Sequence, residues 1–446
     1  MTKNIAIIGA GITGLTTAYY LKKAGIPVTI FEKSHQIGGV MQSFSQDGFV
    51  YEQGPNSGVL SNIEMVNLLD DLKDELEPEI GQPAAKKRLI WQNGHWEALP
   101  SGLWSALKTP LFTWKDKFRI LGEPFRTKGT DPDETVAAMV KRRLGSSFLD
   151  YAIDPFISGI YAGNPNYLVT KYALPKLYQL EQSYGSFIRG ALKKAKIPKT
   201  VDDKRITKEI FSIKGGLNNL PKALAKKIGK TQIYLNQKEL TVKRENDQFK
   251  INNQSFTHVI STVRADSLSG LFPFLKSEEL KNIANLKYAP VVEIGLGYRH
   301  WKGADINAFG GLVPMVEHKN ILGLLFMSTI FPGRAPQDGA LFTLFIGGSK
   351  RPELTEIPES KLLNIVKKDF TEMMQLTDFK PDMIHIKHYN KAIAQYGIDS
   401  KARLEAIKRI ESNYKGLILA GSIRDGVGIA DRVKQAKTIA DRLSRS

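Results

Sequence analysis

The sequence contains no cysteine. Disulfides, thiolate metal sites, cysteine nucleophiles and any cofactor tethered through cysteine are therefore excluded. It also has no run of about 18 apolar residues that could cross a bilayer. Met1-Thr2-Lys3-Asn4 leads straight into an apolar stretch, which leaves no room for a signal peptide. A cytoplasmic chain, or one peripheral on the cytoplasmic face of a membrane, is expected. Histidine is scarce, and His35, His95, His258, His300, His318, His385 and His388 show no ligand spacing. His385 and His388 lie three apart in an expected strand and so point to opposite faces. No metal site is expected. Neither a Gly-x-Ser-x-Gly elbow nor a His-Glu-x-x-His helix occurs.

Acidic residues are outnumbered, with 45 Asp and Glu against 63 Lys and Arg and a formal net charge of +18. Such a balance favours an acidic membrane face or an anionic small molecule. A generally solvated, lysine-rich surface is the alternative. No nucleic-acid module is found and no nucleic-acid partner is expected. Hydrophobic residues make up 42% and aromatics 9%, a globular composition. At 446 residues the chain exceeds the roughly 250–300 at which single cores stop growing, so at least two domains are expected.

The stretch that is rich in meaning is the first, from Asn4 to Ser43. Asn4-Ile5-Ala6-Ile7-Ile8 reads as an apolar strand, Gly9-Ala10-Gly11-Ile12-Thr13-Gly14 as a turn, and Leu15 to Ala24 as a helix. Gly9 permits a tight exit from the strand, Gly11 removes a side chain where backbone N–H groups approach a pyrophosphate, and Gly14 lets the helix pack closely. The helix N-terminus then faces the anion. After Gly25, Val28-Thr29-Ile30-Phe31 is a second strand with Glu32 at its carboxyl end, 18 positions beyond Gly14 (32 − 14). A carboxylate there accepts hydrogen bonds from a ribose diol and argues against a 2′-phosphate. This much suits NAD or FAD alike. The second pair, Gly38-Gly39 followed by Ser43, resembles the extended fingerprint of FAD-containing oxidoreductases.

Further on, residues 48–57 read as a strand ending in a turn and Ile63 to Leu76 as an amphipathic helix. From about Ala84 to Ala195 the chain looks mostly helical, broken by Pro100, Pro110, Pro124, Pro132, Pro155 and Pro165, and too long for a crossover connection. Trp91, Trp96, Trp104 and Trp114 fall here among Lys108, Lys115, Lys117 and Arg119, the composition of a monotopic membrane contact. Tryptophans covering a small core or a cavity are the other reading. Ile233 to Asn253 reads as a meander and residues 258–263 as a buried strand. A second strand-rich region runs from about Tyr288 to Lys391, with strands at Val291–Tyr298, Ile321–Ser328 and Leu341–Ile346 and a helix at Glu359–Met374. Residues 416–421 form a last strand, Asp425-Gly426-Val427-Gly428 a turn and Ile429 to Leu443 a helix. The expected fold is α/β: a discontinuous, Rossmann-like FAD-binding domain (1–62, 205–275 and 410–446), a mixed-sheet substrate domain (63–83 and 276–409), and an inserted helical domain (84–204).

Several motifs lie in order along essentially the whole chain: the opening unit, Gly54-Pro55-Asn56-Ser57, Pro83-Ala84-Ala85-Lys86-Lys87-Arg88-Leu89, Ala98-Leu99-Pro100-Ser101-Gly102, Arg142-Arg143-Leu144-Gly145, Gly159-Ile160-Tyr161-Ala162-Gly163-Asn164 and Gly426-Val427-Gly428-Ile429. Together they resemble the FAD-dependent porphyrinogen oxidases of haem biosynthesis, which act on protoporphyrinogen or coproporphyrinogen III. The resemblance implies FAD as cofactor, a tetrapyrrole substrate and oxidation in two-electron steps. Oxygen or a quinone-type compound would be the acceptor, with a membrane-contacting helical domain in some members and a homodimer as one assembly. Catalysis would be flavin-centred, with no catalytic side chain assigned. Arg88 matches a basic residue near a substrate propionate, for which a guanidinium is well suited, and Gly163 a position where a side chain would enter the cavity. A surface arginine and a turn glycine are the alternatives. Cofactor contacts are expected from Gly9, Gly11, Ile12, Thr13, Gly14, Glu32, Lys33, Gly38 and Gly39, from Gly54, Pro55 and Asn56, from Glu239, and from Gly421, Val427, Gly428 and Ile429. An amine oxidase or desaturase of the same superfamily is the rival, with Tyr389 and Tyr396 available for an aromatic cage.

Overall fold

The structure, a computed structural model, describes residues 3–100, 105 and 108–445. Ser101, Gly102 and Trp104, named above, lie outside the described residues. A five-stranded parallel sheet runs in the order Ile233–Tyr234, Val28–Phe31, Ile5–Ile8, His258–Ser261 and Leu417–Leu419. The strands are short and apolar because both faces are covered. Ile5 and Ile7 pack with helices Ile12–Lys23, Asn219–Ile228 and Ile429–Arg445, while Ala6 and Ile8 face the cluster that includes Val242, Phe249 and Phe256 of a three-stranded antiparallel sheet. Three widely separated stretches thus meet in one sheet.

A seven-stranded mixed sheet follows the order Met383–Ala394, Tyr288–Tyr298, Ala340–Gly347, Ile321–Phe326, Gly310–Leu312, Arg88–Gln92 and His95–Ala98. Only the Gly310–Leu312 and Arg88–Gln92 pair is parallel. Val292, Ile294 and Leu296 on one face pack against Leu362, Val366 and Phe370 of helix Glu359–Met373. On the other face, a side chain at Gly297 would meet the Phe49 ring at 2.8 Å, so glycine there lets strand Phe49–Gln53 lie close.

Domain limits differ from the expected ones in two places. Helix Ile63–Asp71, expected with the substrate domain, buries Met65, Leu68 and Leu69 in the nucleotide-side core, and strand Pro78–Ile80 pairs with Ile210–Ile213. Residues 88–98, expected to belong to the helical insertion, supply two strands of the mixed sheet. Their two-residue turn, Asn93-Gly94, has positive φ at both positions, the geometry that Asn-Gly favours in a hairpin.

The tryptophan cluster divides accordingly. Trp91 is buried and Trp96 half-buried, their rings 5.0 Å apart and edge to face, with Trp96 Nε1 donating to the Met373 carbonyl. Trp114 alone of the described ones in that cluster is exposed, at 63%. The rest of the insertion is helical and holds together by charge. Glu123, fully buried, accepts from Arg143 Nε at 2.7 Å, from the Ser186 hydroxyl, and from the N–H groups of Phe187 and Ile188 at the start of helix Phe187–Ala195. Arg143 also reaches Glu181, which Arg142 pairs with in turn. Arg142-Arg143-Leu144-Gly145 is therefore a structural clamp.

Candidate functional site

Parallel pairing puts the carboxyl ends of Ile5–Ile8, Val28–Phe31, His258–Ser261 and Leu417–Leu419 along one edge, where an open α/β sheet offers a crevice to ligands. Gly9, at φ +105, opens that edge, and a Cβ there would meet Thr262 Oγ1 at 2.6 Å. Thr262 in turn donates to the Ile8 carbonyl at 2.9 Å. A side chain at Gly14 would run into the Gly9 carbonyl oxygen, so the helix can sit on the turn only with glycine. Gly11 is different. It caps helix Ile12–Lys23 with no side-chain acceptor for the first-turn N–H groups, and a Cβ there would meet nothing within 4 Å. Its neighbours, Ile12 and Thr13, begin the helix, so their N–H groups belong to its unsatisfied first turn.

The second glycine pair folds onto the first. Gly38 bridges Gly11, its N–H donating to the Ala10 carbonyl at 2.8 Å, and a Cβ on Gly39 would lie 3.4 Å from Gly11 Cα. Glu32 is buried, its Oε2 accepting from Ala10 N at 2.7 Å and its Oε1 from Ser34 N at 2.8 Å. An ionised carboxylate has about four acceptor sites. Two remain for a ribose diol, so Glu32 both sets the turn and fits the group it would hold. Lys33 is exposed. Glu239 is exposed in a turn beyond Ile233–Tyr234, in a loop whose Gln237 N–H donates to the Glu32 carbonyl at 2.9 Å.

Gly54-Pro55-Asn56 joins this cluster. A Cβ on Gly54 would run into the Val40 carbonyl oxygen, one residue past the glycine pair. Gly54 N–H and Asn56 Nδ2 each reach Glu293 at 2.7 Å, across the boundary to the mixed sheet. On the far side, Gly421 N–H donates to Gln435 Oε1 at 2.7 Å, which ties the last strand end to helix Ile429–Arg445. Val427 and Gly428 precede that helix and Ile429 starts it. Asp431 Oδ2 already accepts from Gly428 N at 3.3 Å, so the chain's own carboxylate occupies part of this N-terminus.

The two residues assigned to substrate stand elsewhere. Arg88 begins the strand next to one edge of the mixed sheet, exposed, with its guanidinium 5.6 Å from the Phe309 ring centre and no ion-pair partner among the described residues. Gly163 follows helix Asp154–Tyr161, buried, where a Cβ would meet Gln395 Oε1 at 2.8 Å and Leu168 Cδ1 at 2.9 Å. Close packing against Gln395 is the immediate reason for glycine there. The preceding residue, Ala162, is left-handed at φ +45 and is held by the Ser349 N–H on its carbonyl at 2.7 Å. Non-glycine backbone in this region needs surroundings that enforce it.

Sequence reasoning missed Glu293, Thr343 and Gln395. A single acid inside Val291-Val292-Glu293-Ile294 was the available signal, since buried charges are rarely accidental. Tyr396, offered for an aromatic cage, is 2% exposed and bonds to the Ser422 and Gly426 carbonyls instead. His385 lies against Tyr51 with its Nε2 2.6 Å from Gln53 Nε2, and burial followed by Lys387 pushes its pKa down. His388, on the opposite face, meets the Thr355 carbonyl.

A glycine-lined strand edge with a buried acid at the end of its second strand, facing a mixed sheet across a buried turn, is the arrangement of a dinucleotide-dependent flavoprotein fold. Residues 12–444 match the family described as flavin containing amine oxidoreductase, and the chain belongs to that family. Its cofactor is FAD. Among curated relatives, the protoporphyrinogen oxidase 2 of Arabidopsis thaliana is 30% identical over 98% of this chain and 93% of its own length. The mitochondrial protoporphyrinogen oxidase of Nicotiana tabacum is 31% identical over 98% and 94%. Among solved structures, an Exiguobacterium sp. 255-15 protein assigned to the protoporphyrinogen oxidases superposes with a TM-score of 0.80 at 22% identity, covering 100% of this chain and 99% of its own. The α/β fold expected from sequence is the one observed.

Proposed function

We propose that the chain oxidises protoporphyrinogen IX to protoporphyrin IX in successive two-electron steps. The observation that carries this reading is the likeness to the plant protoporphyrinogen oxidases over 98% of the chain. FAD, when bound, supplies the hydride acceptor, and oxygen or a quinone-type compound takes the electrons on. The protein's own residues bind, orient and exclude water. Gly11, Ile12 and Thr13 would offer backbone to the pyrophosphate, Gly9, Gly14 and the Gly38-Gly39 pair let the chain fold closely enough for that, and Glu32 would take the ribose. Gly54-Pro55-Asn56 and the Val427–Ile429 turn are the residues that would hold the flavin from the two sides of the crevice. Arg88, free of a carboxylate partner, anchors a propionate by a bidentate contact, and the apolar face around Phe309 and Leu325 keeps the macrocycle dry. No side chain is assigned as a base that touches the reacting carbon.

The reading is tested by porphyrin fluorescence against time in air, with FAD-loaded protein supplied in parallel with protoporphyrinogen IX and coproporphyrinogen III. Faster oxidation of protoporphyrinogen IX is expected. Preference for coproporphyrinogen III would reassign the substrate, and no rate above a no-enzyme control would remove both.

The insertion adds a second element to the proposal, a peripheral membrane contact. Helix Trp114–Leu121 exposes Trp114, Phe118 and Leu121, and Phe125 follows at 86% exposure. Lys117 Nζ stands 4.8 Å from the Trp114 ring centre, and Lys115 and Arg119 share the helix. Aromatic rings beside cations suit an anionic interface. No described helix is long and apolar enough to cross a membrane.

A further inference from the structure

Glu293 is the one element of the site that the reading above leaves without a task. It is 2% exposed, on strand Tyr288–Tyr298, with Oε2 on Gly54 N and Oε1 on Asn56 Nδ2, both at 2.7 Å. Asn56 is held at its other end too, its Oδ1 accepting from Thr343 Oγ1 at 2.8 Å while its Nδ2 also reaches the Gly54 carbonyl at 3.1 Å. No described cation pairs with this carboxylate. Glu52, on strand Phe49–Gln53, is neutralised by Arg334 at 2.7 Å. On the neighbouring strand Met383–Ala394, Lys387 lies opposite Glu293 with its side chain exposed, and His385 and Tyr389 flank it. Strand Ala340–Gly347 brings Thr343 and Phe345 and no charge. Burial raises the Glu293 carboxyl to about 7, against the pull of the Gly54 N–H and the Asn56 amide and with a further push from Glu52.

An ionised carboxylate only accepts, which matches the two donors now aimed at Glu293. A protonated one must donate one O–H. Gly54 N–H keeps one oxygen as acceptor, so the O–H has to point at Asn56, and the amide can receive it only by turning its oxygen round. Its NH2 then faces Thr343, whose hydroxyl changes from donor to acceptor. The same rotation removes the Asn56 contact with the Gly54 carbonyl. We propose that Glu293 is a positioning residue for the cofactor-facing turn, its ionisation setting the direction of the Asn56 amide and so how Gly54-Pro55-Asn56 meets the flavin. This deepens the reading above and rests on it for the place of FAD.

FAD-loaded protein titrated from pH about 5 to about 9 tests it, followed by flavin absorption and by infrared difference spectra of the carboxylic acid C=O stretch. The flavin spectrum should shift with a midpoint near 7 while an acid band disappears over the same range, and Glu293→Gln should lose both while still taking up FAD. Persistence of both in Glu293→Gln, or no acid band titrating in the wild type, overturns the proposal. If Glu293→Gln does not fold, Glu293→Asp should move the midpoint, since the shorter carboxylate changes both its intrinsic pKa and its hydrogen bonds, and an unmoved midpoint overturns it equally. Protein that takes up no FAD refutes the cofactor reading instead, and the infrared band, which needs no flavin, still decides for Glu293.

Discussion

The parallel sheet and the helical insertion bury their interiors by opposite means. In the first, Ile5–Ile8 is apolar throughout and Val28–Phe31 apolar but for Thr29, and the tight places are filled by backbone, at Gly9, Gly14 and Gly54. In the second, Arg143, Glu123 and Glu181 are each no more than 1% exposed, and the centre is ionic. The first arrangement leaves the N-terminus of helix Ile12–Lys23 without a side-chain cap. The second keeps charge inside and sends Trp114, Phe118 and Phe125 outside. Under the proposed function, one region would recognise a small anion by its main chain and the other would offer side chains to a large surface.

The sharpest way to break the contrast is Arg143→Ala. It leaves Glu123 and Glu181 buried without this partner, and about 3–5 kcal/mol of stability should be lost in urea unfolding. A loss under about 1 kcal/mol would mean that the ionic centre is not what holds the insertion.

The mixed sheet, through Glu293, and the insertion should also part company in pH. Burial, with Glu52, lifts Glu293 from 4.5 to about 7. Folded protein then holds a proton that unfolded chain releases, so between these values stability falls as pH rises, by about 3 kcal/mol in all. At Glu123 and Glu181 burial pushes the pKa up, but hydrogen bonds from Ser186 to the first and Arg142 to the second, with further donors, bring the net shift below the usual value. Their contribution is present above the unfolded carboxylate pKa and is lost as pH falls through the depressed one. Melting temperature against pH for Glu293→Gln should lose the fall on the neutral side and keep the acid one. Parallel curves for variant and wild type would contradict this.

Gly11→Ala separates folding from cofactor retention on the nucleotide side. Its Cβ meets no protein atom, so unfolding should change by no more than about 0.5 kcal/mol, while FAD affinity measured by flavin fluorescence should fall at least about tenfold. Gly14→Ala, whose Cβ meets the Gly9 carbonyl oxygen, should instead fail to fold normally. Equal behaviour of the two variants would erase the distinction. The smallest effect belongs to the insertion surface: Trp114→Ser with Phe118→Ser should weaken flotation with anionic liposomes by about 1–2 kcal/mol per side chain and leave porphyrinogen oxidation in detergent-free buffer unchanged.

The nucleotide unit was legible because its evidence is local. Strand period, glycine spacing and Glu32 lie within about 30 residues, and the backbone rules that link them do not depend on the rest of the chain. Domain limits were less legible. The amphipathic pattern of Ile63–Asp71 says that Met65, Leu68 and Leu69 are buried, but not against which core. Asn93-Gly94 was a readable hairpin signal, passed over because its surroundings looked helical. The bond from Glu293 to Gly54 spans 239 positions, and no local rule reaches that far. Gly163 was singled out for a cavity, while the structure gives it a packing partner, Gln395, that only the folded chain supplies.

The parallel sheet takes strands from residues 5–8, 28–31, 233–234, 258–261 and 417–419. During synthesis at about 5–20 residues per second, the first glycine turn therefore waits roughly 20 to 90 s for its last neighbour to leave the ribosome. Through that interval Leu15, Leu21 and Met65 have no Val433, Ile439 or Leu443 to pack on. Until the final helix arrives, the nascent chain carries an apolar surface that chaperones would be expected to shield, and flavin loading becomes a late event in the life of each molecule.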